Sequence, residues 1–170
     1  MTSLFLGFMI LNLAPLDASK VLSNAAAQAR KEQKNIFAYF GASWCSWCRR
    51  TDALLANPQF ESKFKDSYVI AKITIRERDE KRALENAGWE DILLKIRGSK
   101  DRDVPYFAVL DSKGKKLGDG LRYQEGKIPN NGGFPHTGEE ADAFVELIRK
   151  TGKAFSEKDL THLRAYFLLQ

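Results

Sequence analysis

The stretch "Gly41-Ala-Ser-Trp-Cys-Ser-Trp-Cys-Arg-Arg50" holds both cysteines of the 170-residue chain. Each cysteine directly follows a tryptophan, and two arginines come after the second. Just upstream, Ile36-Phe-Ala-Tyr-Phe40 is a short apolar and aromatic run closed by Gly41, the pattern of a buried strand. From Cys45 to Leu55 the pattern turns helical, with Cys48, Leu54 and Leu55 on one face, until Asn57-Pro58 breaks it. The cysteines therefore sit where a strand gives way to a helix.

Working outward, the region from Asp17 to Lys34 is rich in Ala, Gln, Lys and Arg. Val21, Leu22, Ala25, Ala26 and Ala29 recur in it at helical spacing, and Asp17 or Ser19 is placed to cap its start. Beyond the motif, Phe60 and Phe64 allow another helical turn between Gln59 and Lys65. Tyr68-Val-Ile-Ala-Lys-Ile-Thr-Ile75 is β-branched and reads as a strand. Arg76 to Asn86 is charged and predicts a helix ending before Gly88, with a further short helix over Trp89–Ile96. Val104-Pro-Tyr-Phe-Ala-Val-Leu110 reads as a third strand with proline at its entry, where the missing N–H is tolerated. Asp111-Ser-Lys-Gly114 is a turn, and Lys115 to Leu117 begins an antiparallel return.

Gly118 to Gly138 is rich in Gly, Asn and Pro and predicts a long loop, a connector first and a substrate rim as the lesser alternative. Thr137-Gly-Glu-Glu140 has capping-box spacing ahead of an amphipathic helix over Ala141–Lys150. Ser156-Glu-Lys-Asp159 repeats that signal ahead of a last helix carrying Leu160, Leu163, Tyr166 and Phe167. Strands one and two, joined by a helix, imply a right-handed parallel crossover. The hairpin after strand three makes the sheet mixed.

Composition bounds the class. Hydrophobic residues make up 44% and charged residues 29%, with a formal charge of +5, which fits a folded domain of ordinary core size. The basic residues form only short clusters at a helix end and a turn, so a nucleic-acid partner is not expected. Leu4-Phe-Leu-Gly-Phe-Met-Ile-Leu11 is too short for a secure membrane span. It has the length of a signal-peptide core, although no Lys or Arg precedes it and no clean small-residue cleavage site follows. Residues 1–16 are read as an apolar leader, either a signal segment or a piece packed on the domain. Residues 17–170 are read as one domain that includes a C-terminal helical extension over 153–170.

Two thiols three residues apart at the first turn of a helix suit one chemistry. Cys45 lies at the helix end, where unpaired N–H groups and the helix dipole favour a thiolate, and Arg49 and Arg50 add positive potential. The spacing lets Cys48 fold back beside Cys45 and close a ring. Plain core packing is the bland alternative, but a junction flanked by tryptophans and arginines is a poor core site. A zinc site needs about four ligands. Only His136 and His162 remain as nitrogen ligands, neither at finger-like spacing, so no metal is expected.

Trp44-Cys-Ser-Trp-Cys48 at a strand-to-helix junction, together with Val104-Pro105 opening the strand before a hairpin, resembles the thioredoxin fold. The likeness covers residues 17–151. It looks closest to extracytoplasmic bacterial thioredoxin-like proteins with a Trp-Cys-x-Trp-Cys motif, a branch in which a Gly133-Phe-Pro-His-Thr137 loop followed by two helices also occurs. The resemblance implies an α/β three-layer sandwich, a mixed central sheet flanked by helices, here with an extra C-terminal helix. It implies a cis Val104–Pro105 bond facing the cysteines.

It further implies a protein-disulfide oxidoreductase in which Cys45 is the nucleophile and Cys48 the resolving thiol. Trp44, Trp47, Val104 and Pro105 would form a substrate groove. No cofactor is expected beyond the redox-active Cys45–Cys48 disulfide. The implied partners are protein thiols or disulfides and a further redox protein. A monomer is expected, in the periplasm or outside the cell, with the cytoplasm as the alternative. One position departs from the family: six residues before the first cysteine, where thioredoxins commonly bury an aspartate, stands Tyr39. Ser46-Trp47 between the cysteines matches neither typical reductants nor strong oxidants. A reading from another class keeps the groove as a peptide-binding, chaperone-like module in which the thiols play a minor part. That reading requires client binding to survive loss of both cysteines.

Overall fold

In a computed structural model, which describes residues 14–123 and 129–169, the sheet is built around a strand buried on both faces. That strand, β1 (Asn35–Gly41), is apolar at nearly every position. It pairs in parallel with β2 (Tyr68–Thr74), from Asn35 opposite Tyr68 to Gly41 opposite Thr74. On its other edge it pairs antiparallel with β3 (Tyr106–Leu110), which pairs antiparallel in turn with the edge strand β4 (Lys116–Asp119). The sheet order β2-β1-β3-β4 is the mixed sheet expected.

Alternation along the strands sorts the core into two layers. Phe37 and Tyr39 of β1 and Phe107 and Val109 of β3 face one side. They meet α2 (Ser46–Leu55), α3 (Glu61–Ser67), α5 (Gly138–Thr151) and α6 (Glu157–Leu168). Ile36, Ala38 and Phe40 face the other side, covered by α1 (Ala18–Glu32) and α4 (Trp89–Arg97). Small Ala25 and Ala29 let α1 lie close on the sheet. Both predicted capping boxes form, Thr137 with Glu140 and Ser156 with Asp159. The result is a thioredoxin-like three-layer α/β fold with added C-terminal helices.

Two expectations need correction. Arg76 to Asn86 is not an α-helix: only a short 3-10 helix (Asp79–Leu84) forms, with no buried residue. A charged stretch without an apolar stripe has no face to bury, so packing cannot extend it. Asn86 instead leaves the helical path, its side chain accepting from Thr74 N and donating to Leu16 O. The Gly118–Gly138 connection is not plain loop. It contains a two-stranded ribbon, β5 (Leu121–Arg122) with β6 (Asn130–Asn131).

The apolar run in the leader, Leu4–Leu11, lies outside the described residues. No helix among those described is long and apolar enough to cross a membrane.

Candidate active site

Cys45 and Cys48 form a disulfide at the start of α2. Cys45 is the N-cap of the helix, and its Sγ accepts the backbone N–H of Cys48 at 3.1 Å. Side-chain oxygens usually do this at helix starts; here a sulfur takes the place, at the positive end of the helix dipole. Cys48 lies deeper, 2% exposed against 5% for Cys45. The Val104–Pro105 bond is cis, and the Val104 carbonyl oxygen lies 3.6 Å from Cys45 Sγ. Strand β3 thus begins directly opposite the thiol pair.

The motif is held from beneath and from the side. Tyr39 fills the position where a buried aspartate was the family expectation. Its ring is fully buried and its hydroxyl donates to the Cys48 carbonyl at 3.0 Å. Burial pushes the phenol well above its ordinary range, so it stays protonated and keeps donating. Gly41 makes room for it, since a Cβ there would stand 2.7 Å from the Tyr39 oxygen. Lys72 lies over the outer part of the same ring, 5.5 Å from its centre, and pairs with Asp52 of α2 at 2.7 Å.

Ser43, two residues before Cys45, is clamped by Glu77. This buried carboxylate accepts from Ser43 N and from Ser43 Oγ, each at 2.7 Å. Trp44 Nε1 donates to the Arg76 carbonyl at 2.6 Å. The loop after β2 therefore fixes the approach to the motif.

A cleft of about 570 Å³ opens beside the disulfide. Trp44, Trp47, Val104 and Pro105 all line it, so the structure brings the predicted groove residues together. The opposite wall comes from Asn131, Gly132, Gly133, Phe134 and His136, inside the stretch read first as a connector and second as a substrate rim. Phe134 stacks on Trp47 with ring centres 6.3 Å apart, and His136 lies 5.1 Å from the same indole.

Glu140, with its side chain 3% exposed, anchors that wall. Its carboxylate accepts from His136 N and Thr137 N, faces His136 Nδ1 at 2.9 Å and pairs with Arg122 at 3.1 Å. On the other flank, Arg97 is wholly buried, pairs with Asp101 and points at the Asp103 carbonyl. It lies 5.1 Å from the centre of the Tyr106 ring, and so steadies the segment leading into Val104.

His162 is on the surface of α6, where Nδ1 meets Gln59 Nε2 at 2.9 Å. Among the described residues no group of three or more His, Cys, Asp or Glu side chains is placed to hold a metal ion.

The family model described as thioredoxin-like matches residues 17–112, more than half of the chain. No curated protein matches it significantly. Among solved structures, a disulphide isomerase from Xylella fastidiosa Temecula1 is 21% identical, with a TM-score of 0.52 over 95% of this chain and 97% of that one. The oxidised C-terminal domain of DsbD from Neisseria meningitidis is 18% identical, with a TM-score of 0.49, over 82% of this chain and 99% of that one. A thioredoxin from Thermus thermophilus is 18% identical, with a TM-score of 0.46, over 77% and 84%.

Proposed function

The chain belongs to the thioredoxin-like family, and from that premise we propose that it is a thiol–disulfide oxidoreductase exchanging disulfides with protein substrates outside the cytoplasm. The observation that carries the reading is the Cys45–Cys48 disulfide, capping α2 and facing the Val104 carbonyl beside an open cleft.

In the reduced protein, Cys45 is the attacking group. Cys45 is the less buried of the two, and its sulfur has the Cys48 N–H that stabilises a thiolate. The Cys45 sulfur bonds to one client sulfur, the client disulfide breaks, and the departing client thiolate takes a proton from solvent. Cys48, deprotonated, then attacks Cys45 Sγ. The Cys45–client bond breaks and the second client thiol leaves. Two electrons pass from the pair to the client, and a dithiol donor must return them. Run in reverse, the disulfide passes to a client dithiol and a disulfide acceptor restores it. The pair itself carries the electrons.

Trp44 and Trp47 form one wall of the client cleft. The Val104 backbone offers an edge along which an extended peptide pairs as a strand would.

The fold neighbour from Xylella is a disulphide isomerase, and isomerisation uses the same first attack. Direction is set by reduction potential. Equilibration with glutathione is expected to give one reversible two-electron midpoint for the pair. A midpoint near about −270 mV marks a reductant, and about −180 to −120 mV an isomerase or oxidant. A pair that never closes and reopens in such a titration would overturn the oxidoreductase reading. An oxidising compartment suits this chemistry. Fractionation of the full-length protein is expected to recover it from the periplasm or the medium, and a wholly cytosolic pool would refute that placement.

A further inference from the structure

The arginines around the disulfide are arranged unlike most of those elsewhere on the chain. Arg97, Arg122, Arg149 and Arg164 each pair with a carboxylate. Arg49, Arg50, Arg76 and Arg78 have no carboxylate within ion-pair distance among the described residues. They gather instead on the two tryptophans that flank Cys45. The Arg78 guanidinium lies 4.1 Å over the Trp44 ring, with Arg76 at 5.9 Å from the same ring. Arg50 lies 4.7 Å over Trp47. Arg49 donates to the carbonyls of Ser43 and Trp44 at 3.3 and 3.4 Å. Arg49, Arg76 and Arg78 are exposed and Arg50 is half-buried.

Carboxylates nearby offset only part of this charge. Glu77 is buried and held by Ser43, whose neutral donors leave it to count as one acid against the four arginines. Asp103 alone brings a carboxylate to the cleft lining, and Asp79 and Glu80 on the 3-10 helix pair with none of the four arginines. A guanidinium lying over an indole uses its flat face and can still grip a carboxylate side-on with in-plane N–H donors; Arg76 spends Nη1 on the Arg102 carbonyl at 2.8 Å and keeps its remaining donors for this.

We propose that this arginine-on-tryptophan collar selects client disulfides flanked by acidic residues. The proposal rests on the oxidoreductase reading, since the collar surrounds the sulfur that reading makes the nucleophile. Acidic flanks are drawn to the collar from solution, which raises the encounter rate at low ionic strength. They then settle against the guanidinium edges with the client sulfur at Cys45.

The test uses reduced Cys48→Ser protein and three peptides of one length. Each carries a single cysteine linked to thionitrobenzoate, flanked by Asp and Glu, by Asn and Gln, or by Lys and Arg. Cys45 displaces the thionitrobenzoate thiolate, whose colour reports the rate whatever the reduction potential of the native pair. At low salt the acidic peptide is expected to react roughly 10-fold or more faster than the basic one. The gap should shrink toward unity near ~0.5 M salt, where the screening length falls to a few ångströms.

Arg76→Gln with Arg78→Gln should flatten the ratio, and Arg76→Glu with Arg78→Glu should reverse it. A ratio taken within one variant is blind to any general change in thiol reactivity. Equal rates at low salt, or a preference for the basic peptide, would overturn the inference and leave the oxidoreductase reading standing. So would a single-stranded oligonucleotide that binds the wild-type protein more tightly than the acidic peptide. If no peptide reacts faster with Cys45 than with free glutathione, both readings fall.

Discussion

Replacing Cys48 by serine is expected to turn the protein from a catalyst into a trap. Cys45 keeps its place as the N-cap of α2, its contact with Cys48 N and its position beside Val104, because serine leaves the helix start unchanged. Attack on a client disulfide proceeds, but no second thiol stands beside Cys45 to release the adduct. In well-oriented cases an intramolecular group acts at an effective concentration of ~10^5 M or above, which millimolar external thiol cannot match. Turnover is therefore expected to fall by at least ~10^3-fold, while disulfide-linked client accumulates on Cys45. Non-reducing electrophoresis of the variant with an oxidised client, before and after dithiothreitol, reads the adduct directly. Turnover close to wild type without adduct would mean that Cys48 is not the resolving thiol. The paired control, Cys45→Ser, is expected to lose both turnover and adduct.

The second large effect is expected at Phe37→Ala, far from the sulfur chemistry. Phe37 is 1% exposed at the middle of β1. Its ring stacks on Phe107 at 5.5 Å and meets Phe64, Tyr68 and Phe144 at 6.0, 5.9 and 6.4 Å. Those partners come from β3, α3, the start of β2 and α5, so one ring joins four elements. Truncation removes its transfer energy and leaves a cavity among large rings that cannot all move inward, a loss of about 3–5 kcal/mol. A domain of this size has only about 5–15 kcal/mol of stability in total. The urea midpoint should fall steeply with little change in slope. Phe37→Leu, which keeps most of the volume, should lose clearly less. A loss below about 1 kcal/mol for the alanine variant would contradict this account of the core.

What could be read from the sequence and what could not divides along the range of the interactions. Cys45 and Cys48 were legible because their chemistry is local: a pair at helical spacing after a strand. The caps at Thr137–Glu140 and Ser156–Asp159 were legible for the same reason. Pro105 could be placed at a strand entry, and the family resemblance supplied the cis bond. Tyr39 could be recognised as a core aromatic standing in an unusual place, but not as the donor to the Cys48 carbonyl.

Glu77 was hidden in the charged run Arg76-Glu-Arg-Asp-Glu80, where nothing marks one acid as buried. Its partner Ser43 is 34 residues away. Arg97 directly follows the short helix expected over Trp89–Ile96, where nothing in the sequence marks it as buried, yet it is buried under the segment that leads to Val104. The wall formed by Phe134 and His136 lies in a stretch whose first reading is a connector and whose lesser one is a substrate rim. Its Gly, Asn and Pro content describes backbone bends and is silent about the rings those bends deliver to Trp47. A cue was present in Glu140, which served as the capping-box acid and could have been asked what else a carboxylate three residues after Thr137 would hold.

That carboxylate also bears on how the cleft could be redesigned. Glu140 ties His136, Thr137 and Arg122 to a single anchor, so the wall, the first turn of α5 and the ribbon strand β5 share one support. Swapping only the loop that carries Phe134 and His136 would take the His136 imidazole from the buried acid, and would keep its two backbone N–H donors only if the new loop followed the same path. The portable module is larger: the ribbon from Arg122 onward together with the start of α5. A designer seeking new client preferences would do better to exchange that whole cassette than to graft the loop alone.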